Sequence, residues 1–140
     1  MCFVAPDAGA LAAARLYAQF FNANLVACHK IRQVPNKVAS IQVTGTVKNT
    51  HAIIIDDIID TGNTLYAVAQ ELRRQGAYSV YALCTHPIFS GYAYDYMLSS
   101  VLDEIIVTNT IPLKKQYVKI KVLDIAPCIL PFIEKAVLED

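Results

Sequence analysis

The segment "HAIIIDDIIDTGNTL", residues 51 to 65, constrains what this chain can fold into more than any other. Its unbroken apolar stretch over residues 52–55 has the character of a strand at the centre of a parallel sheet, covered on both faces. The stretch ends in two adjacent acids, Asp56 and Asp57, followed by Asp60 and a small polar cluster. Neighbouring carboxylates at the end of a buried strand repel each other and lose hydration. Such a pattern requires a cationic or hydroxyl-bearing partner.

The flanking sequence supplies the rest of the sheet. "MCFVA" reads as a short strand, and "PDAGALAAARLYAQFF" turns through Gly9 into an alanine-rich helix. "ANLVACH" predicts a second strand, and the polar "KIRQVPNK", residues 30–37 and broken by Pro35, predicts a loop. "VASIQVTGTV" alternates as a strand does, and "TLYAVAQELRRQGA" is an amphipathic helix ended by Gly76. Strand "SVYALCTH", loop "PIFSG", helix "YAYDYMLSS", strand "DEIIVTNT", a basic loop around "PLKKQY", strand "VKIKVLDIA" and a helix from Pro127 complete the alternation. Strands separated by helices predict one α/β domain over residues 1–140, three-layered, with a mostly parallel, doubly wound sheet and right-handed crossovers.

Composition narrows the classes of partner. Twelve basic and twelve acidic residues balance, which argues against a nucleic-acid or membrane surface. No stretch approaches the ~20 apolar residues of a membrane span, and the apolar start at Met1 leaves no room for a signal peptide. Cys2, Cys28, Cys84 and Cys128 form no CxxC pair, so they are expected as buried free thiols of a cytoplasmic protein rather than zinc or redox ligands. Only 17% of residues are charged and mean hydropathy is +0.38. Another chain or a further domain is therefore expected to cover part of the surface, with an unusually aliphatic core as the rival explanation.

In open α/β sheets, ligands sit at the carboxyl ends of the strands beside a topological switch point. "DDIIDTGNT" occupies that place. Asp60, Thr61, Gly62, Asn63 and Thr64 offer backbone amides at a helix N-terminus, interleaved with hydroxyls, which favours a phosphate. Gly62 permits close approach of the backbone. Asp56 and Asp57 suit two sugar hydroxyls or a magnesium ion near them. Asp60 or Thr61 could instead be simple helix caps, but a cap does not need the acid pair before it. The arrangement reads as a sugar-phosphate site.

The same residues carry a family resemblance. "DDIIDTGNT" resembles the ribose-phosphate loop of type I phosphoribosyltransferase-fold proteins, and with Asp at position 60 it is similar to that of the ribose-phosphate diphosphokinases. "APDAGALAAAR" resembles that family's diphosphate-side turn, "HKIRQVPN" its flexible catalytic loop, and "CTHPIFSG" with "IIVTNTIP" its closing segments. The resemblance implies a type I phosphoribosyltransferase fold and transfer of the diphosphoryl group of ATP to ribose 5-phosphate, with Mg2+, in a homo-oligomer. It assigns Asp56, assisted by Asp57, to the ribose hydroxyls, and Asp60, Thr61, Gly62, Asn63 and Thr64 to the 5-phosphate. Lys30 and Arg32 match catalytic cations of a mobile loop, and Asp7 matches a magnesium-associated acid.

The resemblance covers essentially all of this chain but only the carboxyl-terminal half of the family, so ATP contacts are expected from an amino-terminal half that is missing or separate. Ala10, Ala13, Ile31 and Asn63 depart from the family pattern. Asn tolerates a left-handed backbone, so the phosphate loop is expected to survive. Two rival functions stand beside this one, a phosphoribosyltransferase and a non-catalytic associated subunit. Lys30 and Arg32 also read as solvated charges, and Asp7 as the cap of the following helix. His29 and His86 are assigned no role, and Lys114, Lys115, Lys119 and Lys121 read as a solvated face or subunit contact.

Overall fold

The computed structural model describes residues 1–31 and 40–138. In chain order these form β1 (Cys2–Ala5), α1 (Leu11–Phe20), β2 (Asn24–Ile31), β3 (Ser40–Thr44), β4 (His51–Ile59) and α2 (Asn63–Arg74). They continue as β5 (Ser79–Pro87), α3 (Ala93–Met97), β6 (Glu104–Thr108), β7 (Ile120–Leu123) and α4 (Ala126–Leu138). The sheet order is β3-β2-β1-β4-β5-β6-β7. β3 is antiparallel to β2, and every other pairing is parallel. The chain winds outward from β1 to β3, returns to lay β4 beside β1, then winds the other way. The crevice between the carboxyl ends of β1 and β4 is therefore the switch point.

Period-2 alternation sorts the side chains of the central strands onto two faces. Phe3, Ala5 and Ile55 join Ala10, Ala14 and Ala18 on the α1 side, where alanines at every fourth position let the helix sit close to the sheet. Val4 and Ile54 join Val68, Leu72, Val80 and Met97 on the α2 and α3 side. α2 forms because Leu65, Val68, Ala69 and Leu72 recur at helical spacing and all are buried. It stops at Gly76, whose φ of 89° suits the left-handed turn there, with the Ala77 amide donating to Leu72 O at 3.0 Å.

Several expectations are corrected. Lys30 and Ile31 are not loop residues: each finds a ladder partner in β3, Ile41 and Ser40 respectively, and β2 continues through them. The rest of the predicted loop, Arg32 included, lies outside the described residues. β4 runs on to Ile59, so Asp56 and Asp57 are strand residues, with Asp56 opposite Cys84 of β5. α3 is shorter than "YAYDYMLSS", since the Ser99 hydroxyl donates to Tyr96 O at 2.6 Å and the Ser99 amide to the same oxygen at 3.2 Å, closing the last turn.

Cys2, Cys28 and Cys84 are buried as expected, but Cys128 is exposed. It lies on α4, which buries none of its side chains among the described residues. Lys119 is half-buried, its ammonium donating to Ser99 O at 2.5 Å, and so is not part of a solvated face. No helix of the described residues is long and apolar enough to cross a membrane.

Candidate sugar-phosphate site at the switch point

A cavity of about 250 Å³ opens at this crevice, lined by Asp7 after β1 and by residues 56–65 from the end of β4 into α2. Asp56, Asp57, Asp60, Thr61, Gly62, Asn63 and Thr64 are thus brought together as the sequence predicted, and Asp7 joins them. Gly62 is the N-cap of α2, with φ 78°, and the helix has no side-chain cap hydrogen bond. The capping role weighed for Asp60 and Thr61 is not taken up. A Cβ at Gly62 would lie 2.9 Å from Met97 Cε. The left-handed position therefore falls on glycine. Asn63 begins the helix and needs no unusual backbone.

The acid pair lines the same cavity. Asp56 is half-buried and accepts the Asp57 amide on Oδ1 at 3.0 Å. Burial pushes its carboxyl up to about 6; the Asp57 amide opposes this, and the charges of Asp7 and Asp57 add to it. A group so placed gains from a cation or a hydroxyl donor beside it. The same two acids also edge a second hollow of about 320 Å³ on the α1 side, bounded by Ala13, Tyr17, Leu83, Cys84 and Thr108.

Asp7 Oδ1 accepts the amides of Gly9 at 2.8 Å and Ala10 at 3.2 Å, which precede α1, so it closes the turn into that helix and does not cap the helix itself. Both bonds fall on one oxygen, and the residue still lines the cavity. Among the described residues no group of three or more His, Cys, Asp or Glu side chains is arranged to hold a metal by itself. Mg2+ commonly takes only one or two carboxylates, with water and substrate phosphate completing its shell. Asp7 and Asp56 both line this crevice, so two carboxylates are available there to such an ion.

Lys30 reaches this site from β2, its Nζ donating to Thr64 Oγ1 at 3.2 Å. That contact spans 34 positions and depends on the β2–β3 ladder, so no local pattern announces it. Sequence reasoning also missed Ser90, whose hydroxyl donates to Asp60 Oδ1 at 2.5 Å. The only signal was its place within "CTHPIFSG".

Sheet order, switch-point cavity and uncapped helix define an α/β protein of the type I phosphoribosyltransferase fold. Adenine phosphoribosyltransferase from Trypanosoma brucei shares it at a TM-score of 0.59 and 17% identity over 90% of this chain and 56% of that one. Phosphoribosylpyrophosphate synthetase from Mycobacterium smegmatis superposes at a TM-score of 0.90 and 32% identity, covering 100% of this chain and 46% of that one. The ribose-phosphate pyrophosphokinase of Campylobacter jejuni is 44% identical over 122 residues, 87% of this chain and 40% of that protein. The phosphoribosyl synthetase-associated domain profile matches residues 15–137, and the chain belongs to that family. It spans about 40% of the length of the curated relatives it matches.

Proposed function

We propose that this chain is the ribose 5-phosphate-binding part, corresponding to the carboxyl-terminal half, of a cytoplasmic ribose-phosphate pyrophosphokinase. The reading is carried by one observation: a single switch-point cavity joins paired strand-end acids to an uncapped helix N-terminus, with a lysine hydrogen-bonded at its rim. Family membership and the pyrophosphokinase relatives support it.

In this reading the amides of residues 60–64 hold the 5-phosphate and Asp56 and Asp57 accept the ribose hydroxyls, which turns the anomeric hydroxyl outward. That oxygen attacks the β-phosphorus of ATP, the bond from β-phosphorus to the α–β bridging oxygen breaks, AMP leaves, and the hydroxyl proton passes to solvent. Such transfer depends on alignment and charge neutralisation more than on a protein nucleophile. Lys30, with Arg32 from beyond the described residues, supplies positive charge to the transferred group. Asp7 and Asp56 would hold Mg2+, which when bound neutralises phosphate charge. Adenine and triphosphate are held by an amino-terminal partner portion.

Calorimetry with ribose 5-phosphate tests the site. Wild type is expected to bind, and Asp56→Asn and Thr64→Ala to bind about tenfold more weakly, the scale of one hydrogen bond to a charged group. Equal heats in all three would sink the assignment. AMP release from ATP should be near background for this chain alone, since aligned reactants are worth ~7 to 11 kcal/mol of barrier. It should recover with an amino-terminal partner portion and be lost again in Lys30→Ala.

A further inference from the structure

We propose that Ser90, which lies outside the cavity, is a positioning residue that keeps Asp60 from capping α2 and so keeps the phosphate cradle open. The inference rests on the ribose 5-phosphate reading. Asp60 stands just before the N-cap Gly62, and aspartate is among the residues that most readily accept first-turn amides. A carboxylate there would fill, from within the chain, the place a phosphate is to take. Yet α2 has no side-chain cap.

The reason is visible in the connection from β5 to α3. Phe89 N donates to Ile59 O at 3.1 Å, Ser90 N to Asp60 O at 3.0 Å, and Ser90 Oγ to Asp60 Oδ1 at 2.5 Å. Main chain and carboxylate of Asp60 are thus both tied to one short segment. That segment leads directly into α3, which packs on α2. Phe89 is buried with a φ of 48°, a conformation rare outside glycine that persists only where surroundings enforce it. Met97 packs against Gly62, and the Tyr96 ring stacks on Tyr66 of α2 with centroids 4.8 Å apart.

The serine hydroxyl has one proton, and it is spent on the carboxylate as a charge-assisted bond. Removing it frees the Asp60 side chain to swing onto the α2 amides, where it competes with the incoming phosphate dianion by charge as well as by occupancy. Asp60 therefore contributes to phosphate binding through its backbone, and its side chain must be restrained.

The test is a double-mutant cycle read by ribose 5-phosphate calorimetry. Ser90→Ala is expected to weaken binding about tenfold, Ser90→Thr to stay within about twofold of wild type, and Ser90→Ala in an Asp60→Ala background to lose less than about threefold. A purely structural role for Ser90 would give the same loss in both backgrounds, and that result overturns the proposal. Unchanged affinity in Ser90→Ala overturns it too, while leaving the site reading intact. A wild type that does not bind ribose 5-phosphate defeats the site reading and this inference together. Should Ser90→Ala not fold by circular dichroism, Ser90→Cys, close in volume but a weak donor, takes its place with the same expected loss.

Discussion

Asp56 ties stability to ligand binding. Its folded-state pKa of about 6 stands above the ordinary 3.8, so the folded protein holds the Asp56 proton more tightly than the unfolded chain does. That contribution to stability is complete below about pH 4 and is lost as pH rises through about 6. Asp56→Asn, which cannot ionise, should therefore gain on wild type by about 1 kcal/mol between pH 4 and pH 8, a figure reduced for the solvent on its open side. Urea unfolding at the two pH values measures the gap, and a gap that does not change with pH contradicts the account. That the acid pair and residues 60–64 share one cavity was legible, because strand-end burial, the turn glycine and the helix start are neighbours in sequence. Lys30 on Thr64 and Ser90 on Asp60 were not, since those contacts span 34 and 30 positions and exist only once the sheet is assembled.

At the scale of elements, α2 is fastened at its far end by Arg73. Its guanidinium donates to Asp103 Oδ2 at 2.6 Å, to Val101 O at 3.1 Å and to Tyr78 O at 2.9 Å, while Asp103 Oδ2 also accepts the Val80 amide at 2.7 Å. The helix and the connections leading into β5 and β6 meet at this one side chain. Arg73→Ala should cost about 1 kcal/mol in chemical denaturation, because an exposed carboxylate and two carbonyls lose a donor together. A loss near the few tenths typical of a surface ion pair would show that Asp103 is satisfied by water. β4 and α2 were readable as elements because a long apolar run and a helical period leave little alternative. The end of β2 and the length of α3 were not: ladder pairing to β3 decides the first, and a serine closing a carbonyl decides the second.

For the whole molecule, the low charge content has a structural counterpart. Leu16, Phe20 and Phe21 of α1 and its end are exposed, and so are Leu130, Phe132, Ile133, Val137 and Leu138 of α4. Apolar surface on this scale is normally covered. Light scattering at micromolar concentration should give a mass above the 15.4 kDa of one chain, and a clean monomer would count against self-association. Which face is covered can be read without mutating the cradle. Burial pushes the thiols of Cys28 and Cys84 up to about 12, and Cys2 is raised as well, so all three are sealed from alkylation by packing and protonation. Cys128 alone stands in solvent, on the helix that nothing among the described residues covers. The chain thus carries a built-in reporter: a single maleimide dye attached there would change colour, lifetime or accessibility when α4 acquires a neighbour, and stay silent to events in the switch-point cavity.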